Sequence, residues 1–262
     1  MKCLLAVGAC YLDTILDVDH YPAEDEKLRA SSILKRRGGN CPNTLEILQQ
    51  LLDTDTSIPT ISLALLAVLP SRSSPAYQEI SASFNASTDL AHCICRPDVN
   101  EPASSYIVRS RQVDSRTIIN YNGLPEMTTA EFASVADKLG ENTGWCHFEG
   151  NGYESSEECL RAQATLVSKA SLLLCTWGDA GVGALELPSL TYRECRAFKT
   201  AGTDTVDTVG AGDTFIAGML FALTCRGDWD LDRKLRFGNE LAGRKVVQEG
   251  LRGLGSLMQH AL

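Results

Sequence analysis

The sequence predicts an α/β fold, with a mainly parallel central sheet flanked by helices and a small β-sheet on its rim. Three observations carry that expectation. Short apolar runs alternate with segments of helical periodicity along the chain, which is the pattern of a parallel sheet covered on both faces. Two segments with strand-like alternation, Ser105–Arg109 and Arg116–Tyr121, flank a short turn at Gln112–Ser115 and read as an exposed antiparallel hairpin. A tight Gly210-Ala211-Gly212 turn runs straight into an apolar helix.

Taken in order, Cys3–Gly8 reads as a buried first strand. Leu16–Val18 and Ser31–Lys35 look extended and half exposed, and Pro42–Leu52 has helical periodicity through Leu45, Leu48, Leu51 and Leu52. Ile58–Leu69 reads as one buried strand, followed by a Ser/Pro loop and a helix over Tyr77–Phe84. After the hairpin come a helix at Thr129–Leu139, a strand at Trp145–Glu149, a helix at Ser155–Ser168 and an apolar strand at Leu172–Thr176. Helices over Thr214–Leu223 and Leu235–Val247 complete the pattern. No repeat or low-complexity linker divides the chain, so residues 1–262 are expected to form a single domain, with the rim strands drawn from about 14–37 and 104–122.

Composition narrows the function. With 262 residues, 44% hydrophobic and 22% charged, the chain can bury a sizeable core. A net charge of −9 argues against a nucleic-acid partner, which needs a basic face. No apolar stretch approaches the ~20 residues that span a bilayer. The ten cysteines are scattered without a C-x-x-C pair, and the four histidines lack metal-ligand spacing, so reduced, packed thiols are expected. Neither a Walker-type phosphate loop nor a G-x-S-x-G elbow is present.

Two clusters could carry chemistry. In Asp207-Thr208-Val209-Gly210-Ala211-Gly212-Asp213 the glycine turn delivers an acidic residue to the start of a helix, where unpaired N–H groups attract anions. An aspartate there suits removal of a proton from a hydroxyl about to attack a phosphoryl group. The same residues equally suit an ordinary Gly-rich loop with Asp213 as a dipole partner. Asp13 and Gly38-Gly39-Asn40-Cys41-Pro42-Asn43 offer a carboxylate and two amides beyond strand ends, which suit a polyhydroxylated ligand. They also suit a turn residue and a helix start.

Together these segments resemble the ribokinase-like (PfkB) carbohydrate kinases, and within them the ketohexokinase-like branch. The resemblance spans almost the whole chain: Asp207 to Leu220 matches the late signature, Gly38-Gly39-Asn40-x-x-Asn43 the early one. Gly8-x-x-x-Leu12-Asp13, Asp114-Ser115-Arg116-Thr117-Ile118 and Trp145-x-His147-x-Glu149-Gly150 also fit. The resemblance implies a sugar kinase using ATP and Mg2+, in the cytoplasm, with no nucleic-acid or membrane partner. Asp213 would be the base, and the N–H groups of Gly210, Ala211 and Gly212 the anion hole. Asp13, Gly39, Asn40, Asn43 and Arg116 would bind the sugar, while Gly178, Asp179, Gly181, Asn239 and Ala242 would line the nucleotide. The rim sheet would be a lid, through which related chains pair into dimers.

One departure stands out. After Asn151 the chain passes directly to Tyr153-Glu154-Ser155, where the ketohexokinase-like pattern has further helices and two parallel strands, roughly fifty residues at a dozen or more per crossover. The missing part corresponds to an Asn-x-x-Glu element linked to metal and phosphates, and to a lysine near the nucleotide. Glu149, Glu154 and Glu157 are nearby carboxylates outside that context, so metal ligands are unassigned. Either a gap opens in the sheet or Leu172–Thr176 pairs with the Trp145 strand. A sugar kinase, a binding homologue or truncated product without turnover, and a kinase for a nucleoside or sugar acid all fit these residues.

Overall fold

The computed structural model describes residues 3–55, 57–58, 61–84, 88–113, 115–139, 143–148, 155–164, 170–199 and 202–262. It contains two compact units, Met1–Pro42 with Ile61–Phe148, and Asn43–Thr60 with Glu149–Leu262. The strands of the first unit are β1 (Cys3–Val7), β2 (Tyr11–Val18), β3 (Ser32–Gly38), β4 (Ser62–Leu66) and β5 (Val68–Leu69). They continue with β6 (Thr88–Asp89), β7 (Ile94–Cys95), β8 (Ser104–Ser110), β9 (Ser115–Tyr121) and β10 (Thr143–Phe148). Helix α1 (Asn40–Thr54) runs from the first unit into the second, and α2 (Pro75–Ser83) and α3 (Thr129–Leu139) belong to the first. The second unit holds α4 (Ser156–Ala164), β11 (Leu172–Thr176), β12 (Val182–Glu186), β13 (Thr191–Cys195), α5 (Ala211–Cys225) and α6 (Leu231–Val246).

The parallel sheet runs β10-β1-β4-β6. β1 sits inside it, as its near-continuous apolar run Cys-Leu-Leu-Ala-Val requires of a strand covered on both faces. Leu5, Val7, Ala64, Leu66 and Val135 form the core beside it. The stretch expected as one strand over Ile58–Leu69 is two: β4 joins the parallel sheet, whereas β5 pairs with β7 in a sheet of two. The change of partner falls at Ala67, whose carbonyl accepts from Ile94 N–H at 2.9 Å. Helix α2 starts at Pro75, two residues before the predicted Tyr77, because Ser74 caps it, its hydroxyl accepting from Tyr77 N–H at 3.1 Å.

A second sheet of order β3-β2-β8-β9 carries the hairpin read from the sequence. β2 pairs with β8 in parallel and with β3 antiparallel. Every residue of β9 is exposed, which makes it a fully solvated edge strand.

In the second unit β11, β12 and β13 form an antiparallel sheet, and Val182, Ala184, Phe215, Met219 and Leu235 pack its core against α5 and α6. β12 and β13 have no counterpart in the sequence reading. Of the two alternatives, pairing of Leu172–Thr176 with the Trp145 strand is not found among the described residues, where β11 pairs with β12 and β10 with β1. Each therefore presents one strand edge with no partner among the described residues. α4 covers Ser156–Ala164 of the predicted Ser155–Ser168 helix, and residues 165–169 lie outside the described residues. Asp114 also lies outside them, as do Glu149, Gly150, Asn151, Gly152, Tyr153 and Glu154, where the departure falls.

Candidate functional site

The glycine turn of the second unit is a left-handed helix cap. Gly210 has φ 80° and ψ 10°, a conformation that costs an L-residue about 1–2 kcal/mol. A Cβ at Gly210 would lie 3.3 Å from Leu251 Cδ2, tighter than ordinary contact. Thr214 locks the turn, its backbone N–H and its hydroxyl both donating to the Gly210 carbonyl at 2.9 and 2.6 Å. Upstream, the Asp207 carboxylate accepts from Val209 N–H at 2.9 Å. Of the three amides expected to form an anion hole, that of Ala211 donates to the Thr208 carbonyl at 3.3 Å.

Asp213 is buried in the first turn of α5. The Asn43 side-chain amide donates to its Oδ2 at 2.9 Å, and the Thr44 hydroxyl donates to its backbone carbonyl at 3.3 Å. Two consecutive residues of α1 thus hold Asp213, Asn43 by its carboxylate and Thr44 by its backbone carbonyl. A Cβ at Gly212 would meet Thr176 Oγ1 at 3.8 Å, so the end of β11 faces the same turn.

The first unit builds a separate polar cluster around Asp13 on β2. Register aligns Asp13 with Arg36 on β3 and with Ser105 on β8, and Ser105 with Asn120 on β9. Burial raises the Asp13 pKa above the usual carboxylate value, against the opposing pull of a Ser105 hydrogen bond and of Arg36 and Arg37. Gly38 is bare because any Cβ there would collide with the Asp13 carboxylate. Gly39, at φ 99°, passes so close to the Ala9 carbonyl that a side chain would collide with it, and Asn40 opens α1 directly afterwards. Arg116 does not join this cluster by register. It pairs with Arg109, which pairs with Asp17, four residues and so about 13 Å along the strand from Asp13. Arg36, Ser105 and Asn120 were missed from the sequence, because only strand register brings them level with Asp13.

The expected nucleotide residues lie on the loop after β11 and on α6. Trp177 N–H donates to the Gly181 carbonyl at 2.8 Å, closing a short turn over Gly178–Ala180 in which Asp179 is exposed. Gly178 and Gly181 have φ 57° and 110°. A side chain at Gly181 would strike the Cys195 carbonyl, so the bare backbone lets the end of β13 close in. Asn239 gives its amide to the carbonyls of Cys195 and Arg196, and Ala242 packs against the core of the unit. Glu157 is occupied by an exposed pair with Arg161 on α4. Among the described residues, no group of three or more His, Cys, Asp and Glu side chains is placed to hold a metal.

This combination of a parallel sheet, a small exposed sheet and a buried aspartate on a glycine-capped helix defines a ribokinase-like α/β protein. Solved structures of that fold superpose over nearly the whole chain. Arabidopsis thaliana ribokinase, solved with ribose and ATP, matches with a TM-score of 0.69 at 16% identity, over 95% of this chain and 94% of that one. A nucleoside kinase from Methanocaldococcus jannaschii matches with 0.67 at 18% identity, over 97% and 94%. Residues 129–255, which include the glycine turn, match the family described as pfkB family carbohydrate kinase. The chain is also 26% identical to mouse ketohexokinase over 313 aligned residues, covering 97% of this chain and 99% of that protein. The chain has the ribokinase-like fold and, over residues 129–255, is similar to the PfkB family of carbohydrate kinases. The 313 aligned positions exceed its 262 residues by 51, so at least 51 positions of the mouse protein lack a counterpart here.

Proposed function

We propose that this chain is a cytoplasmic, ATP-dependent phosphotransferase acting on a hydroxyl of a small sugar, a ketohexose such as fructose or a ribose-like pentose. The observation that carries the reading is the buried Asp213 carboxylate, oriented by Asn43 at the start of a glycine-capped helix. Asp213 takes the proton of the sugar hydroxyl as its oxygen attacks the terminal phosphorus of ATP. The new O–P bond forms while the bond to the bridging oxygen breaks and ADP leaves. The N–H groups at Gly210 and Gly212 stabilise the charge on the phosphoryl oxygens, that of Ala211 being given to the Thr208 carbonyl. Asp13, Gly39, Asn40 and Asn43 hold the other hydroxyls, and Arg116, about 13 Å along the sheet from Asp13, stays outside that set. Gly178, Asp179 and Gly181 border the nucleotide, as do Asn239 and Ala242. Mg2+, which the family implies, finds no ligand cluster among the described residues, and no step above depends on a protein-held ion.

The rim sheet is proposed as a lid that pairs with its counterpart in a second copy of this chain. Ile33, Tyr106 and Ile119 share one face of it and are exposed. Apolar side chains in such a row favour burial against a partner.

A second reading, a homologue that binds without turnover, is supported by the 51 or more unmatched positions and by the edges of β10 and β11. One experiment separates the readings. ADP release from Mg-ATP is followed with fructose, ribose, a nucleoside and a sugar acid, beside calorimetric binding of each. Turnover with a sugar supports the kinase, and turnover with the nucleoside or sugar acid alone moves the substrate class. Binding without turnover supports the second reading.

A further inference from the structure

We infer that Lys245 is a positioning residue for the Asp213 turn, acting through Asp207. This deepens the sugar-kinase reading above and rests on it. Lys245 lies in the last turn of α6, and its side chain is completely buried. Its ammonium donates to the Asp207 backbone carbonyl at 2.8 Å, to Asp207 Oδ2 at 2.9 Å and to the Gln248 carbonyl at 3.4 Å. Burying an ammonium is costly unless oxygens surround it, and a well-packed apolar side chain serves stability as well or better. The charge is therefore explained by what it holds.

What it holds is the approach to the glycine turn. Asp207 is the hub of that approach: its carboxylate also accepts from Val209 N–H at 2.9 Å and from Gly250 N–H at 3.2 Å. Val206 N–H and Asp207 N–H both donate to the Val246 carbonyl, at 2.7 and 3.1 Å. The segment entering Gly210 is thereby fastened to the end of α6 on the residue next to Lys245. Three residues later the chain enters the helix cap that orients Asp213. An uncompensated carboxylate at Asp207 would sit just upstream of amides that are to receive a phosphoryl group, and it would repel that anion. Lys245 cancels that charge and fixes the carboxylate that fixes Val209.

The test is a double-mutant cycle on the full chain with Lys245→Met, Asp207→Asn and the double variant. The readouts are kcat, the KM values for ATP and sugar, and the melting temperature. Methionine keeps the length and apolar stem of lysine and removes its charge. Displacement of a catalytic turn by about 1 Å costs on the order of a hundredfold. Lys245→Met is expected to lower kcat about 10- to 100-fold and raise the KM for ATP, with the KM for sugar within about twofold. In the Asp207→Asn background the same substitution is expected to change kcat by less than about threefold, since nothing is left to neutralise. A folded Lys245→Met variant with wild-type kcat overturns the inference. So do losses that simply multiply in the double variant, which would mark a merely structural lysine. If Lys245→Met does not fold, the double variant against Asp207→Asn decides alone: near-equal kcat supports the inference and a large further drop overturns it. If the wild type binds ADP without turnover, the kinase reading fails and the cycle is read from ADP affinity. There a tenfold loss confined to the Asp207 background supports the positioning role and an unchanged affinity overturns it. A wild type with neither turnover nor ADP binding overturns both.

Discussion

Asn43 and Asp213 stand 170 residues apart in sequence, and the Asn43 amide donates to the Asp213 carboxylate at 2.9 Å. The bond holds the Asp213 carboxylate in one orientation. Asn43 sits in the part of α1 that belongs to the second unit, so the Asp213 carboxylate and its orienting amide are held within one compact body. A hydrogen bond to a charged group contributes about 1.5–3 kcal/mol. Asn43→Ala is therefore expected to lower kcat/KM about 10- to 100-fold, at roughly tenfold per 1.4 kcal/mol. Steady-state kinetics on the folded variant check this.

Gly38 and Asp13 give a sharper steric prediction. A methyl group at Gly38 would overlap the Asp13 carboxylate, which must then leave its place between Arg36 and Ser105. Gly38→Ala is expected to raise the KM for sugar by roughly tenfold or more, the cost of a misplaced polar contact. Affinity for ADP, measured by calorimetry, should stay within about twofold of wild type.

Asp207 predicts an acid limb. Burial pushes its pKa up, but the Lys245 ammonium and the Val209 and Gly250 N–H groups outweigh that and hold it below the usual 3.8. A carboxyl depressed in the folded state contributes stability that is present above 3.8 and is lost as pH falls through the lower folded value. Melting temperature should thus fall steeply below about pH 4, and Asp207→Asn should flatten that limb.

Asp55 and Arg226 form a second buried pair, with side-chain exposures of 8% and 11%. Arg226 also lies over the rings of Phe221 and Trp229, at 5.2 and 5.5 Å. Removing one member of such a pair leaves an uncompensated charge and costs about 3–5 kcal/mol. Asp55→Ala should lower the urea midpoint accordingly.

Thiol chemistry offers a further check on the fold. Burial pushes the thiols of Cys10 and Cys93 up to about 12. Both should resist iodoacetamide at neutral pH in the native protein and react only after denaturation, as mass spectrometry of the labelled peptides would record.

Much of the fold was legible because local signals agreed with it. Helix α3 and strand β11 fall on the predicted residues, where periodicity and apolar runs are unambiguous. The glycine turn and the hairpin announced themselves through residue type. β12 and β13 were missed because Gly183 and the polar Thr191-Tyr192-Arg193 dilute the strand pattern, and their pairing depends on partners distant from any local signal. The break at Ala67 was invisible because Leu63–Leu69 is uniformly apolar, so only a change of hydrogen-bond partner marks it. Within the site, residue types pointed to Asp13, Asn43 and Asp213. Arg36 and Asn120 required strand register, and Lys245 required knowing that a helix ends against Asp207.

The central claim is that Asp213 is the base of a sugar kinase, and phosphate transfer from Mg-ATP to fructose and ribose by wild type and Asp213→Asn tests it most directly. General-base catalysis contributes about 10²- to 10⁴-fold, so the account predicts wild-type turnover and a loss of that size in a variant that still folds and binds ADP. Turnover that survives the substitution within about tenfold, or a folded wild type that transfers no phosphate to any sugar, would contradict it.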